Sequence, residues 1–302
     1  MDQLPADYFV TSIQFTKHVY QDQYPSIDPT NPQLSLAGRA AIITGASRGI
    51  GAKGFAPAFA KAGVKTLILI ATGEEKLEVV EAEVNKINPA IQVLRIGANI
   101  TDAASVDAAF ERIKAAGIGH ADILINNAGV NTDGGVLLAD EEPQSWWQNF
   151  EVNARGTFLV SRAFIRQLPD PLKTRANIIT LVTGAAWLTF PNLSGYGISK
   201  QVALSLSQHI AAGYPNISAV ALHPGLVDTD MLLDSFRHFT LETPALIGGL
   251  AVWLTNPNAK FLSGRTVASQ WSVDDLLERK DEIIEKDLLK LDLTGKFGAG
   301  QF

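Results

Sequence analysis

The 302-residue sequence predicts a single α/β domain, a doubly wound parallel β-sheet with helices on both faces. Two observations lead there: from Gly38 onward short apolar runs alternate with longer segments of helical period, and a glycine-rich turn joins the first such run to the first helix. A composition of 46% hydrophobic and 19% charged residues matches a chain with a sizeable core. Strands are expected at Ala40 to Thr44, Thr66 to Ala71, Ile91 to Gly97, Asp122 to Asn126, Asn177 to Val182, Ile217 to Leu222 and Arg265 to Ala268. Helices are expected to begin near Ile50, Glu74, Asp102, Ser145, Gly195 and Thr243. In such sheets the connections are right-handed and ligands collect at the carboxyl ends of the strands, where the winding reverses.

The domain is expected over residues 37–271, flanked by an N-terminal arm and a C-terminal helix and tail at 272–302. Residues 1–36 carry Tyr8, Phe9, Val10, Ile13, Phe15, Val19, Tyr20 and Tyr24, too many apolar anchors for a free tail. The arm therefore packs, on its own domain or on a partner subunit. Ser272 to Leu291 alternates charge and leucine at helical spacing and reads as one amphipathic helix.

Charge and cysteine content exclude several functions. With 31 acidic and 25 basic residues the net charge is −6, which argues against nucleic acid or an anionic membrane as a partner. Without cysteine there is no disulfide, thiolate nucleophile, iron-sulfur cluster or cysteine-ligated zinc, and a cytoplasmic setting fits. The opening residues lack a secretory pattern and no apolar run is long enough to span a bilayer, so a soluble protein is expected. The five histidines show no ligand spacing, and no metal is expected.

The turn Thr44-Gly45-Ala46-Ser47-Arg48-Gly49-Ile50-Gly51 follows the first run directly and opens a helix. Glycine allows a tight turn and close approach to a pyrophosphate, and the positive helix end attracts the anion. Glycines at 45, 49 and 51 depart from the G-x-G-x-x-G spacing, so position rather than spacing carries this reading. The second run ends in Ile70-Ala71-Thr72-Gly73, with no acid to bind a ribose diol, while Arg48 offers a guanidinium to a 2′-phosphate. NADP is accordingly expected over NAD, unless Arg48 points into solvent. Asn126-Asn127-Ala128-Gly129 lets a cofactor pass close to the backbone. The stretch from His223 through Pro224, Gly225 and Val227 to Thr229 ends the sixth run and suits the wall of a nicotinamide site, with His223 itself read as structural.

Tyr196 and Lys200 stand four apart in a predicted helix, which places the phenol next to the ammonium. Bringing a phenol to about neutrality takes roughly 4 kcal/mol, about what one charge at ~4 Å supplies at an effective dielectric of ~20. Asn153, in Glu151-Val152-Asn153-Ala154-Arg155-Gly156, is either a helix-kinking core amide or a polar partner of this pair.

Taken in this order, TGASRGIG, NNAG, the asparagine of EVNARG, YGISK and HPGLVDT resemble the short-chain dehydrogenase/reductase family, over roughly Leu36 to Leu291. The resemblance implies a Rossmann-type fold and transfer of hydride between NADP(H) and a carbonyl or secondary alcohol. It makes Tyr196 the acid in reduction and the base in oxidation, with Lys200 lowering its pKa and holding the nicotinamide ribose, and Asn153 holding a water against the lysine. The cofactor-binding positions it implies are Gly45, Ser47, Arg48, Gly49, Ile50 and Gly51 in the turn, and Thr72, Asn99 and Ile100 toward the adenine. Asn127, Ala128 and Gly129 follow at the fourth strand, and Pro224, Gly225, Val227 and Thr229 at the nicotinamide, joined by Tyr196 and Lys200.

Two positions depart from the family pattern. Thirteen places before the tyrosine, where a serine is usual, stands Thr183, whose hydroxyl still donates but whose methyl narrows the pocket. Asn99 replaces a common aspartate, and its amide oxygen is expected to accept the same hydrogen bond from adenine. Trp187, Leu188 and Phe190, with Met231, Leu232, Leu233, Phe236 and Phe239, form either an apolar substrate pocket under a flap or part of the core. A small apolar carbonyl or alcohol substrate is expected, with a tilt toward polyketide or terpenoid intermediates. The family also implies pairing through helices spanning Ser145 to Gln167 and Gly195 to Ala212, as a homodimer or homotetramer. The alternative function is a scaffold that holds NADP(H) without redox turnover, for which Thr183 is the support.

Overall fold

Five of the seven strands are apolar runs with every residue buried, which requires a parallel sheet covered by helices on both faces. In the computed structural model, which describes residues 4–239 and 241–295, they form one such sheet. Strands β1 (Ala40–Thr44), β2 (Thr66–Ala71), β3 (Gln92–Gly97), β4 (Ile123–Asn126), β5 (Ala176–Leu181), β6 (Ile217–His223) and β7 (Thr266–Ala268) lie in the order β3-β2-β1-β4-β5-β6-β7. All pairings are parallel, with Ile42 of β1 opposite both Ile68 of β2 and Leu124 of β4. The winding reverses between β1 and β4. Each strand lies within one residue of its expected bounds. Asp122, expected to begin β4, instead accepts a hydrogen bond from Ala40 N at 2.8 Å and clamps the entry of β1.

Ten helices follow from the periodic segments among the described residues: α1 (Tyr8–Thr11), α2 (Ala56–Lys61), α3 (Glu78–Ile87), α4 (Ala103–Ala115), α5 (Pro143–Asn149), α6 (Thr157–Gln167), α7 (Ser194–Gly213), α8 (Pro244–Leu254), α9 (Val273–Glu278) and α10 (Lys280–Glu285). Phe59 of α2, Val80 and Val84 of α3 and Leu246 and Leu250 of α8 fill the core on one sheet face. Val106 and Ile113 of α4, Phe164 of α6 and Ile210 of α7 fill the other. Helix α8 is buried almost all round and packs so closely on the turn before α2 that a methyl on Gly248 would lie 2.4 Å from the Gly54 carbonyl oxygen. Such an approach is open to glycine alone.

The arm packs on its own domain. Val19 bridges Trp271 antiparallel, Tyr24, Ile27, Leu34 and Leu36 join the core, and Tyr20 stacks on Tyr24 at 3.7 Å. The C-terminal segment differs from the single amphipathic helix expected. It breaks at Arg279 into α9 and α10 and ends in left-handed backbone at Asp287 (φ 48°) and Leu289 (φ 66°). The break follows the packing: Arg279 lies 3.7 Å over the Phe15 ring and bonds the Phe15 carbonyl, while Val273, Leu276 and Ile283 turn into the core. Among the described residues no helix is long and apolar enough to cross a membrane, and no group of three histidine, aspartate or glutamate side chains is placed to hold a metal ion.

Candidate active site

Where β1 and β4 part, their carboxyl ends open into a cleft of about 890 Å³. Thr44 ties the two strands at that point, its hydroxyl accepting from Asn127 N and Ala128 N at 3.1 Å each. Asn127 returns the contact, its amide donating to the carbonyls of Thr44 (2.8 Å) and Gly45 (3.0 Å). Gly45 has φ +62°, and a Cβ there would lie 2.8 Å from Ala128 Cα. The turn thus exists only with glycine, and it leaves a floor of backbone at the mouth of the helix beyond it.

Most of the residues expected to bind a cofactor line this cleft: Gly45 and Ser47 to Ile50 on the turn, Thr72, Asn99 and Ile100 at one end, and Asn127 to Gly129 along the floor. Tyr196, Lys200, Pro224 and Thr229 close the other end. Gly51 lies behind the turn, where a side chain would strike the Gly45 carbonyl at 2.4 Å. Thr183, Gly225 and Val227 line a second, adjoining chamber of about 170 Å³, which shares Ile50, Asn131, Tyr196, Pro224, Thr229 and Met231 with the cleft. Most of its other walls are apolar, including Leu188, Leu193, Leu226 and Phe236. The side chains expected to form a pocket or flap thus face it in part, although Phe239 is packed away as core.

Helix α7 carries Tyr196 and Lys200 on one face, and its first turn is held from outside. Asp133 accepts from Tyr196 N at 2.9 Å through one carboxylate oxygen and from Asn149 Nδ2 at 2.7 Å through the other. A carboxylate at a helix N-terminus is stabilising and here fixes the height of the phenol. Asp133 lies 63 residues before Tyr196 and carries no local motif, so nothing in the sequence singles it out.

Several of the expected site residues find partners within the protein itself. The sequence places Lys200 where it would lower the phenol's pKa; instead burial pushes Tyr196 up to about 12, with only the nearby Thr183 hydroxyl working the other way. Burial likewise pulls Lys200 down to about 8, and its ammonium donates to the Leu181 carbonyl at 2.9 Å. Asn153, fully buried in a π-helical segment (Phe150–Gly156) between α5 and α6, grips Val130 from both sides of its amide: Nδ2 donates to Val130 O at 2.8 Å and Oδ1 accepts from Val130 N at 2.9 Å. It still flanks the lysine, since a Cβ on Gly129 would sit 3.1 Å from both Asn153 Oδ1 and Lys200 Nζ. At the end of the cleft beside Thr72, the Asn99 amide oxygen accepts from Thr101 N (3.1 Å) and Thr101 Oγ1 (3.0 Å). Arg48 reaches across the cleft mouth to Asp230 at 3.2 Å, an exposed pair that stabilises little and that an anionic ligand can displace.

His223 lines the chamber, edge-on to Trp187 with ring centroids 5.4 Å apart. Burial pulls its pKa down to about 4, so it is neutral, and its Nδ1 has no partner among the described residues. Glu242 secures the turn beyond it, accepting from Leu226 N at 2.7 Å and filling the space against Gly225 (φ +76°). Burial pushes this carboxyl up to about 7. No sequence signal marks its role.

The residues present fit a dinucleotide. The cleft is long and open, its floor is backbone cleared by Gly45 and Gly129, and its far end meets a phenol and an ammonium. The sequence model of the family described as short chain dehydrogenase matches residues 39–238. The chain is 36% identical over 297 residues to the short chain dehydrogenase mpl6 of Monascus purpureus, covering 95% of this chain and 99% of that protein. Among solved structures it is similar to a gluconate 5-dehydrogenase from Burkholderia cenocepacia in complex with NADP and tartrate (TM-score 0.70, 25% identity, 84% of this chain and 99% of that one). It is also similar to a 3-ketoacyl-(acyl-carrier-protein) reductase from Brucella melitensis complexed with NADH (TM-score 0.67, 28% identity, 78% of this chain and 97% of that one).

The Glu242 carboxyl gives a pH signature. Its value in the fold, about 7, stands above the ordinary 4.5, so the folded protein holds the proton longer than the unfolded chain. The stability it contributes is therefore full below about 4.5 and is lost as pH rises through about 7. Lys200 acts in a separate window: the unfolded chain holds its proton longer, so stability rises between about 8 and 10.5. Glu242→Gln keeps an acceptor for Leu226 without the charge. Its stability should match wild type near pH 5 and exceed it at pH 7.5 by roughly 2 kcal/mol, read from denaturant melts at both pH values. Parallel pH profiles for the two proteins would show that the carboxyl does not ionise in this range.

Proposed function

The chain belongs to the short-chain dehydrogenase family, and we propose that it is an NADP(H)-dependent oxidoreductase acting on the carbonyl or secondary alcohol of an apolar small molecule. The observation that carries this reading is the meeting of Thr183 and Tyr196 at the junction of the long cleft and the apolar chamber. A reduced nicotinamide dinucleotide supplies hydride when bound. Ser47, Arg48 and the turn amides would hold its phosphates, Thr72 and Ile100 its adenosine end, and Lys200 its far ribose.

The chain's own groups handle the oxygen. Thr183 Oγ1 accepts from Ala185 N at 3.3 Å, which directs its hydroxyl toward the chamber side where the phenol lies. A carbonyl oxygen between them takes a hydrogen bond from Thr183 and the proton of Tyr196. With its pKa near 12 in the protein alone, Tyr196 is protonated at neutral pH, the form required of a proton donor in reduction. Lys200 and Asn153 flank Gly129 and would return a proton to the phenol by way of a water, the path the family resemblance implies.

The preference for NADP rests on Arg48 and on the absence of a carboxylate at Thr72. Glu74, two residues on, is turned away to Arg112 at 2.7 Å and Gly97 N at 3.0 Å. Self-association is proposed through α6 and α7, where Phe158, Ile198 and Val202 stand exposed, the last two one helical turn apart.

The decisive assay mixes the protein, NADPH and hydrophobic ketones and follows the absorbance of the reduced nicotinamide. Tyr196→Phe should lower turnover by about 10²-fold or more with cofactor affinity within a few-fold. Thr183→Ala should lower it too, whereas Thr183→Ser should retain it; wild-type activity in both Tyr196→Phe and Thr183→Ala would remove these residues from the reaction. Tight NADPH binding with no loss of absorbance on any ketone would instead favour the non-redox scaffold. Arg48→Ala should weaken NADPH about ten-fold and NADH far less, measured by cofactor fluorescence titration; equal losses would exclude a contact with the 2′-phosphate. Pairing Ile198→Glu with Val202→Glu should yield a lighter species in sedimentation velocity, and an unchanged mass would place the contact elsewhere.

A further inference from the structure

The apolar chamber is walled in part by residues that the shared fold does not supply. Phe9 and Ile13, from the N-terminal arm, line it together with Thr183, Tyr196 and Leu188. The family match begins at residue 39, so the arm lies outside it. From this placement we infer that Phe9 and Ile13 are specificity-determining residues, which select carbonyl substrates with an apolar ring body. The inference rests on the oxidoreductase reading above for the reaction, but on the geometry of the arm for the selection.

Both residues are held in place by bonds that have no bearing on the catalytic groups. Ile13 is fixed through its carbonyl, which accepts from Trp271 Nε1 at 2.9 Å. The next residues are stitched to the segment after β7: Tyr20 N donates to Gln270 O at 2.8 Å, Ser272 N to Thr16 Oγ1 at 3.1 Å, and His18 N to Asp275 Oδ2 at 2.7 Å. Phe9 is fixed through its ring, which meets Phe239 edge-on at 4.7 Å and Phe236 at 5.4 Å. Phe236 itself lines the chamber, so the arm and the segment after β6 close one continuous apolar wall.

The polar side chains facing the chamber are few. Thr183 and Tyr196 would meet the reacting oxygen, Asn131 and Thr229 belong to the wall shared with the cleft, and neutral His223 has a ring nitrogen lacking a partner among the described residues. A substrate body near Phe9 and Ile13 therefore meets hydrocarbon and aromatic surface, which rewards a flat ring and offers a small or hydroxylated chain nothing. Removal of either side chain opens the wall without touching the proton donor.

The test uses the full chain and three methyl ketones of increasing ring size: 2-butanone, acetophenone and 2-acetylnaphthalene. Equilibrium binding is measured by calorimetry and turnover by absorbance of NADPH. For wild type, affinity should rise steadily along the series. Phe9→Ala and Ile13→Ala should each weaken 2-acetylnaphthalene about ten-fold, seen in KM with kcat within two-fold, and leave 2-butanone within two-fold. Phe9→Leu, which preserves bulk and guards against a folding defect, should recover most of the loss. Equal losses on all three ketones, an unchanged gradient in the alanine variants, or no gradient in wild type would each overturn the inference. Binding that follows the predicted gradient without any turnover would uphold the role of the arm while refuting the oxidoreductase reading.

Discussion

The structure depends on one constraint: five strands are buried along their whole length, so polar chemistry has nowhere to go but their ends. At the reversal between β1 and β4 two neighbouring strands send their chains to opposite faces, and the gap so left is a concavity that the winding produces by itself. Thr44 and Asn127 hold that gap at fixed width by exchanging hydrogen bonds across it. The glycine turn, the phenol, the ammonium and the Pro224 turn all stand on its rim because each ends a strand or begins the helix that follows.

Burial sets the electrostatics of that rim more strongly than pairwise attraction does. The phenol and the ammonium share a helix face as their spacing requires, yet each is driven toward its neutral form, up for Tyr196 and down for Lys200. Glu242 obeys the same rule at the turn opposite. Burial thus disfavours charge at both the phenol and the ammonium, an environment in which the charge of an incoming ligand counts for more than in water.

Most of the fold is legible in the sequence because its signals are local. Unbroken apolar runs such as Ile42-Ile43 and Leu67 to Ile70 announce buried parallel strands, and the residues that end them announce the cleft. What the sequence does not reveal acts over distance. Asp133 reaches Tyr196 across 63 residues, and Ile13 joins Trp271 across 258, and in neither case does anything nearby in the chain mark the partner. The direction of the Tyr196 shift is hidden for a related reason: helical spacing gives the neighbour at four residues, but the amount of water removed is a property of the whole cavity. The C-terminal segment keeps its amphipathic pattern and loses its continuity, because Arg279 is drawn to Phe15, a residue that its own periodicity cannot foretell.

The stitching of the arm to the segment after β7 has a bearing on biosynthesis. Ile13 leaves the ribosome 258 residues before Trp271, an interval on the order of ten seconds or more at ordinary elongation rates. Phe9 waits for Phe236 and Phe239, and Ile13 for Trp271, so neither has the partner that holds it until most of the chain has been made. The arm side of the chamber is thus completed only by residues made late, and a chain that ended before β7 would lack the indole that fixes Ile13.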